Sequence, residues 1–325
     1  MPHRTICVLG GTGFVGRHLL DRLAAEGRRL RVLTRNAEAH RELTVLPTVE
    51  LVEADVHDPA TLARRLAGCD AAVNLVGILN EGRGRGRTFR EAHVELPRRL
   101  VAACREAGVR RLLHMSALNA DARAGASAYL RTKGEGEDLV HAAADARLHV
   151  TSFRPSVIFG PGDSFLNRFV ALARPVPLVF PLACPRARFA PVHVGDVAEA
   201  LARALDDPHT HGRRYPLCGP REYTLRELVA YALRTAGLRR VVVGLPDWIS
   251  RLEAAVLEHV PGKPFTRDNY RSLQVASVCG PRNGLRELGI EPTPLEAVAP
   301  RYLGRQGWRL RLNRYRRELP LRQLR

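Results

Sequence analysis

The chain has 325 residues, 45% of them hydrophobic and 26% charged, enough to bury a large core and to fill two domains. Its formal net charge is +18, and because Lys133 and Lys263 are its two lysines, nearly all of that charge is arginine; such an excess favours anionic partners, phosphates or an acidic membrane surface among them. With no basic-then-apolar leader, no long uncharged apolar run and six cysteines that form no CxxC pair (Cys7, Cys69, Cys104, Cys184, Cys218, Cys279), neither secretion nor a membrane span is expected; a cytoplasmic protein with buried free thiols is expected.

The first element is a strand, Ile6 to Leu9, followed by the turn Gly10, Thr12, Gly13 and then a helix opened by Phe14, Val15, Gly16 and Arg17. Glycines at such positions let the turn reverse, let backbone reach a pyrophosphate and let the helix pack closely on the strand, while the N–H groups at the helix start face the phosphates. The spacing GxxGxxG so near the N-terminus resembles the short-chain dehydrogenase/reductase superfamily, which implies a doubly wound α/β dinucleotide-binding domain. Gly27 stops the helix, and Leu30 to Leu33 form a second strand closed by Thr34 and Arg35. An acidic residue here accepts ribose hydroxyls in NAD-binding relatives, whereas arginine suits a 2′-phosphate. Arg35, with Arg17, therefore points to NADP(H) in preference to NAD(H).

A helix from about Glu38 leads to a third strand, Val49 to Val52, and to Asp55 and Val56; the superfamily resemblance implies an adenine contact at that strand end. Asp58 and Pro59 read as an N-cap and first-turn proline. The fourth strand, Ala71 to Val76, ends in Gly77, where the resemblance places backbone beside the cofactor's ribose. The following loop, EGRGRGR, has the composition of an RNA-binding segment, but as one short loop in an α/β pattern it reads as a connection, and no nucleic-acid partner is expected.

A helix from Phe89 to Ala107, stopped by Gly108, precedes the fifth strand, Leu112 to Met115, with Ser116 at its end. Thirteen residues later comes Tyr129, and Lys133 four after that, which sets tyrosine and lysine on one helix face, one turn apart. In a chain that uses arginine nearly everywhere else, a lysine here marks a need for a compact ammonium. Ser116, Tyr129 and Lys133 are the candidate catalytic residues: Lys133, also on the cofactor, would lower the Tyr129 pKa, Tyr129 would carry the proton, and Ser116 would hydrogen-bond the substrate oxygen.

The segments HMSALNADA, SAYLRTKGEGE, RPSVIFGPGDSFLNRF, PVHVGDVAEA, FTRDNYRSL and GLRELGIEPTPLE resemble bacterial relatives of the NADP(H)-binding accessory subunit of mitochondrial complex I. These are atypical short-chain dehydrogenase/reductase proteins, similar also to the NAD-dependent epimerase/dehydratase family. The likeness runs to about Leu303. It implies bound NADP(H) without a fixed reaction. It also places Pro155 and Val157, after a sixth strand from Val150 to Phe153, beside the nicotinamide.

Phe165 to Leu172 reads as a helix and Pro175 to Pro185 as a loop, either a cover over the substrate pocket or a plain connection. Strand Val192 to Val194, with His193 packed nearby, leads to a helix capped by Asp196. Thr224 with Glu227, and Thr293 with Glu296, have the form of capping boxes. No metal-ligand spacing is present. The expected division is a dinucleotide domain of residues 1–160 completed by 188–218, a smaller substrate-side domain of 161–187 and 219–303, and a basic tail, 304–325. In the tail Trp308, Leu312, Tyr315 and Leu319 would line one helix face on an anionic membrane. Two functions fit: an oxidoreductase on a carbonyl or alcohol, or an NADP(H)-holding assembly or regulatory protein of respiratory complex I or quinone metabolism.

Overall fold

The computed structural model describes residues 5–304 apart from 83 and 85. The chain alternates strands and helices: β1 (Thr5–Leu9), α1 (Phe14–Ala24), β2 (Arg29–Thr34), β3 (Val49–Glu53), α2 (Pro59–Leu66), β4 (Ala71–Asn74), α3 (Leu96–Ala107), β5 (Arg111–Met115), α4 (Ala128–Ala142) and β6 (His149–Pro155). Further on come β7 (Ile158–Phe159), α5 (Leu166–Ala173), β8 (Val179–Leu182), β9 (Arg188–Phe189), β10 (Val192–His193), α6 (Val194–Asp206) and β11 (Arg214–Leu217). The last part holds β12 (Tyr223–Thr224), α7 (Leu225–Thr235), β13 (Val241–Gly244), α8 (Asp247–Leu257), α9 (Arg267–Leu273), α10 (Gly284–Glu287) and α11 (Leu295–Leu303).

Seven parallel strands form one sheet in the order β11-β6-β5-β4-β1-β2-β3. Inside the sheet, β1 is apolar on both faces, as a parallel strand covered on both sides must be. Ile6 and Val8 enter one core with α1 and α6, whereas Cys7 and Leu9 enter the other with α2 and α3. This is the doubly wound α/β fold. Its order reverses between β1 and β4, and the crevice beyond their carboxyl ends is where such sheets take a ligand. A third core gathers residues of α5, α7, α11, β8 and β13 beside the sheet.

Local chemistry sets several boundaries. The Asp58 carboxylate accepts from the Thr61 N–H and Thr224 makes a reciprocal capping box with Glu227. Thr293 does not cap: Pro294 holds the N-cap position of α11, and Thr293 donates through its N–H and hydroxyl to Asp196. Asp196 correspondingly sits in the first turn of α6 behind an N-cap at His193, a clamp between two helices in place of a cap. The stretch Pro175 to Pro185, expected as a loop, contains β8, because Val179 to Leu182 find parallel partners in Val241 to Gly244. The expected single helix from Phe89 opens instead with a π-turn, Glu91–Glu95, before α3.

The expectation of six free thiols is corrected for two of them. The segment after α9 folds back on the end of β11, bringing Cys218 and Cys279, 61 residues apart, into a disulfide. Cys7, Cys69, Cys104 and Cys184 are buried free thiols. Among the described residues no helix is long and apolar enough to cross a membrane. The amphipathic pattern at 308–319 lies outside the described residues.

The π-turn and α4 touch through backbone. A Cβ placed on Gly136 would lie 1.8 Å from the His93 carbonyl oxygen. Alanine gains about 1 kcal/mol of helix propensity over glycine, but forcing the two segments apart costs about 1–3 kcal/mol or more, so the clash dominates. Gly136→Ala is expected to lose on the order of 2 kcal/mol in a urea melt; an unchanged midpoint would show that α4 can shift freely.

Candidate functional site

The crevice begins at the glycine turn. Gly10 has φ +77°, a conformation that glycine adopts readily, and a Cβ there would stand 3.0 Å from the backbone carbon of Leu75. A Cβ on Gly16 would lie 2.5 Å from the carbonyl oxygens of Gly10 and Gly11, so only glycine lets α1 start this close to the turn. Gly13 is exposed, Thr12, Phe14 and Val15 are half-buried beside it, and Val76 and Gly77 lie across the crevice after β4. Such a cradle of close backbone and open N–H groups fits a pyrophosphate.

The two arginines differ. Arg17 is engaged: it donates to the Thr12 carbonyl and pairs with Glu42 at 2.6 Å. Arg35, at the end of β2, is exposed and forms no ion pair among the described residues. Asp55 is exposed after β3, its carboxylate accepting from the His57 N–H, with Val56 half-buried beside it. Pro155 ends β6 and Val157 follows, both half-buried.

α4 brings Tyr129 and Lys133 to the same crevice. Its first turn is capped twice, by Ser127 on the Leu130 N–H and by Asp268 of α9 on the N–H groups of Ala128 and Tyr129. Lys133 is buried, donates to the Met115 carbonyl at 2.8 Å, and its Nζ stands 3.2 Å from where a Cβ on Gly77 would be. Burial pushes its pKa down to about 8, partly offset by the charge of Glu137. Tyr129 is half-buried, its ring edge-on to those of Phe89 and His93, and burial pushes the phenol up to about 12. An approach of Lys133 close enough to lower that pKa is therefore not how the site stands; desolvation of the phenol prevails.

Ser116 is buried and its hydroxyl donates to Glu137 at 3.0 Å. It does not offer its proton to the crevice, contrary to a role as donor to a substrate oxygen. Glu137 is fully buried and also takes both oxygens' worth of hydrogen bonds from Arg154 Nε, at 3.0 and 2.9 Å. The carboxylate satisfies serine and arginine at once, and that accounts for the serine's direction. Glu137 escaped the sequence reading, although it stands four residues after Lys133 and eight after Tyr129 on one helix face. His93 escaped it too. Its Nε2 accepts from the Ile78 N–H while Nδ1 meets Thr132 Oγ1, a pairing that requires the neutral ring, and burial with the Lys133 charge pushes its pKa down to about 2.

A cavity of about 570 Å³ is lined by Asn80, Glu81, Phe89, Glu258, Lys263 and Asp268 among others. It adjoins Tyr129 through two of these residues, since the Phe89 ring lies edge-on to the Tyr129 ring and Asp268 accepts from the Tyr129 N–H.

A model of the NAD dependent epimerase/dehydratase family matches residues 6–218. The chain belongs to that family. Like the family, it binds a nicotinamide dinucleotide, and the glycine cradle is shaped for one. The mouse mitochondrial NADH dehydrogenase [ubiquinone] 1 alpha subcomplex subunit 9 is 31% identical over 303 residues, covering 89% of this chain and 77% of that protein. The ceramide reductase of Caulobacter vibrioides is 32% identical over 253 residues, 74% of each chain. Among solved structures, the NADPH-dependent quinone oxidoreductase QOR2 of Escherichia coli, complexed with NADPH, has the same fold, with a TM-score of 0.69, 20% identity, and 90% of this chain and 97% of that one covered.

Lys133 supplies a test of the electrostatics. Its folded pKa of about 8 lies below its ordinary 10.5, so the cost of burying the ammonium is full below about pH 8 and fades as pH rises toward 10.5. Lys133→Met removes that cost but loses one hydrogen bond. Without dinucleotide, the variant is expected to be more stable at neutral pH by on the order of 1 kcal/mol, with the gap closing above pH 8. Melts across that range check it; a gap that widens with pH would contradict a depressed lysine.

Proposed function

We propose that the chain is an NADP(H)-dependent reductase of a carbonyl compound, with Tyr129 as the proton donor. The observation that carries this reading is the setting of Tyr129, held by two caps at the start of α4, one turn from Lys133, with a phenol pushed up to about 12. A neutral phenol can give a proton to an oxygen that gains charge, and it cannot take one, so the resting site is set for reduction. When bound, the dinucleotide supplies a hydride to the carbonyl carbon. Tyr129 supplies the proton that balances it, and solvent restores the phenol. Lys133, with one donor spent on Met115, has others for the ribose hydroxyls beside Gly77. Residues 1–160 and 188–218 hold the dinucleotide in this reading, and 161–187 with 219–303 hold the substrate.

One observation favours a second reading. The proton of Ser116 is committed to Glu137, so the substrate oxygen lacks that donor. A protein that holds NADP(H) as an assembly or regulatory subunit of a respiratory complex or in quinone metabolism needs no such donor, and the relative named as an NADH dehydrogenase subunit matches most of the chain. Either role is placed in the cytoplasm, at the inner face of the cell membrane, with the basic segment 304–325 drawn to anionic lipid.

Preference for NADP(H) rests on Arg35. A charge-assisted hydrogen bond to the 2′-phosphate contributes about 1.5–3 kcal/mol, so NADPH is expected to bind about 10–150-fold more tightly than NADH, and Arg35→Ala to remove most of the difference. Calorimetric titration of both cofactors checks this; equal affinities would sink it.

Tyr129→Phe keeps the ring and loses the proton. Turnover of NADPH against a panel of carbonyl and quinone compounds is expected to fall by about 10²–10⁴ with NADPH affinity unchanged. If the wild type turns over no compound and the variant retains cellular function, the second reading stands in its place.

A further inference from the structure

α8 shows its large side chains to solvent. Trp248 is 68% exposed, Leu252 56% and Val256 56%, four residues apart and so along one face, and Val260 follows at 40%. The opposite face, Ser250 and Ala254, is fully buried. The helix packs through its small residues, the reverse of the usual arrangement. β13, which feeds α8, does the same: Val242 is buried while Val241 and Val243 are exposed, as is Val179 opposite Val241. Of eleven exposed large hydrophobic side chains among the described residues, eight come from 178–179 and 241–260. Clustering of that kind marks an interaction surface.

Charge decides what covers it. Arg174, Arg239 and Arg251 are exposed in or beside this surface and form no ion pair among the described residues. The described chain ends at Gly304, where a Cβ would lie 3.9 Å from the carbonyl of Thr235, at the end of the helix that leads into β13. The segment 305–325 that continues from there carries eight arginines and one glutamate. A second copy of a chain of net charge +18, or that segment itself, would set like charge against like around the apolar stripe. An anionic bilayer accepts both features, since arginine pairs with headgroups while tryptophan and aliphatic side chains settle at the acyl boundary.

The stripe also borders the cavity beside Tyr129. Leu79, 59% exposed, precedes Asn80 of the cavity wall, and Val256 and Val260 flank Glu258 and His259 of the same wall. We propose that this face rests on an anionic lipid bilayer, and that the cavity takes a membrane-borne amphiphile, its polar carbonyl head inside and its apolar chain left along α8 in the lipid. The substrate half of this proposal rests on the reductase reading: the head gains a hydride at carbon and the Tyr129 proton at oxygen, and the chain is unchanged.

The test is flotation of the full chain with vesicles of phosphatidylcholine alone or mixed equally with phosphatidylglycerol, for wild type, for the triple variant Trp248→Ser, Leu252→Ser, Val256→Ser, and for a chain ending at Gly304. Wild type is expected to float with the anionic vesicles, and the triple variant to partition at least about tenfold less, with its melting temperature and NADPH affinity unchanged. Equal flotation of wild type and triple variant overturns the proposal. So does loss of flotation on truncation alone, which assigns binding to the segment after Gly304, and so does a lipid-free dimer that the triple variant abolishes while neither form floats. A phenyl ketone carrying a decyl chain and one carrying a methyl group, each reduced to its alcohol by one hydride and one proton, then read the substrate class. Wild type on vesicles is expected to reduce the decyl compound faster, and the triple variant to lose that advantage while keeping its rate on the methyl compound. Equal rates on wild type overturn the amphiphile. No turnover of either compound overturns the reductase reading and the substrate class with it, and flotation still decides the face.

Discussion

A buried carboxylate holds the site together. Glu137 sits on α4 with no exposure, takes the Ser116 proton from the end of β5, and is bridged by Arg154 from the end of β6. Losing the Glu137 carboxylate would strip Ser116 and Arg154 of their shared partner, whereas losing Arg154 still leaves Arg214 3.5 Å from the buried charge. Helix α4 therefore has a fixed rotation against the two strands beside it, and that rotation sets where Tyr129 and Lys133 point. The same interaction determines what the site lacks. By accepting the serine's hydrogen bond, Glu137 leaves the Ser116 hydroxyl without a donor for the crevice.

The C-terminal part fastens itself to the same helix and strands. Asp268 caps α4, Asn119 donates to the carbonyl of Ala276, and Ser156 donates to that of Ser277. These bonds join segments far apart in the chain. A polar cavity at this junction, with an apolar stripe on its outer edge, gives the protein two surfaces of opposite character within a few residues of each other. An amphiphile answers to both.

The strands and helices of the sheet were legible because each carries a local signal: a continuous apolar run, a glycine stop, an aspartate cap. The glycine turn and the Tyr129–Lys133 pair were legible for the same reason, as their spacing alone puts them on one element. What escaped depends on contacts between distant segments. The Cys218–Cys279 bond, the clamp of Asp196 on Thr293 and the pairing of Val179 with Val241 each join residues tens of positions apart, and no local pattern reports them. Ser116 is the instructive case. Its position at the end of β5 could be read from the chain, but the direction of its hydroxyl was decided by a carboxylate 21 residues later. The lowering of the tyrosine pKa expected from a nearby lysine gave way likewise to desolvation, which requires knowing what surrounds the phenol.

The account turns on Tyr129 being a neutral acid at the cofactor. The most direct measurement is an NMR titration of the protein labelled with ¹³C at the tyrosine ring carbon bearing oxygen, with the Tyr129 signal assigned by Tyr129→Phe and followed with and without NADPH. The account predicts a signal that stays that of the neutral phenol beyond its ordinary pKa of 10 and that shifts when NADPH is added. A Tyr129 signal that ionises near neutral pH, or one indifferent to NADPH, would contradict it.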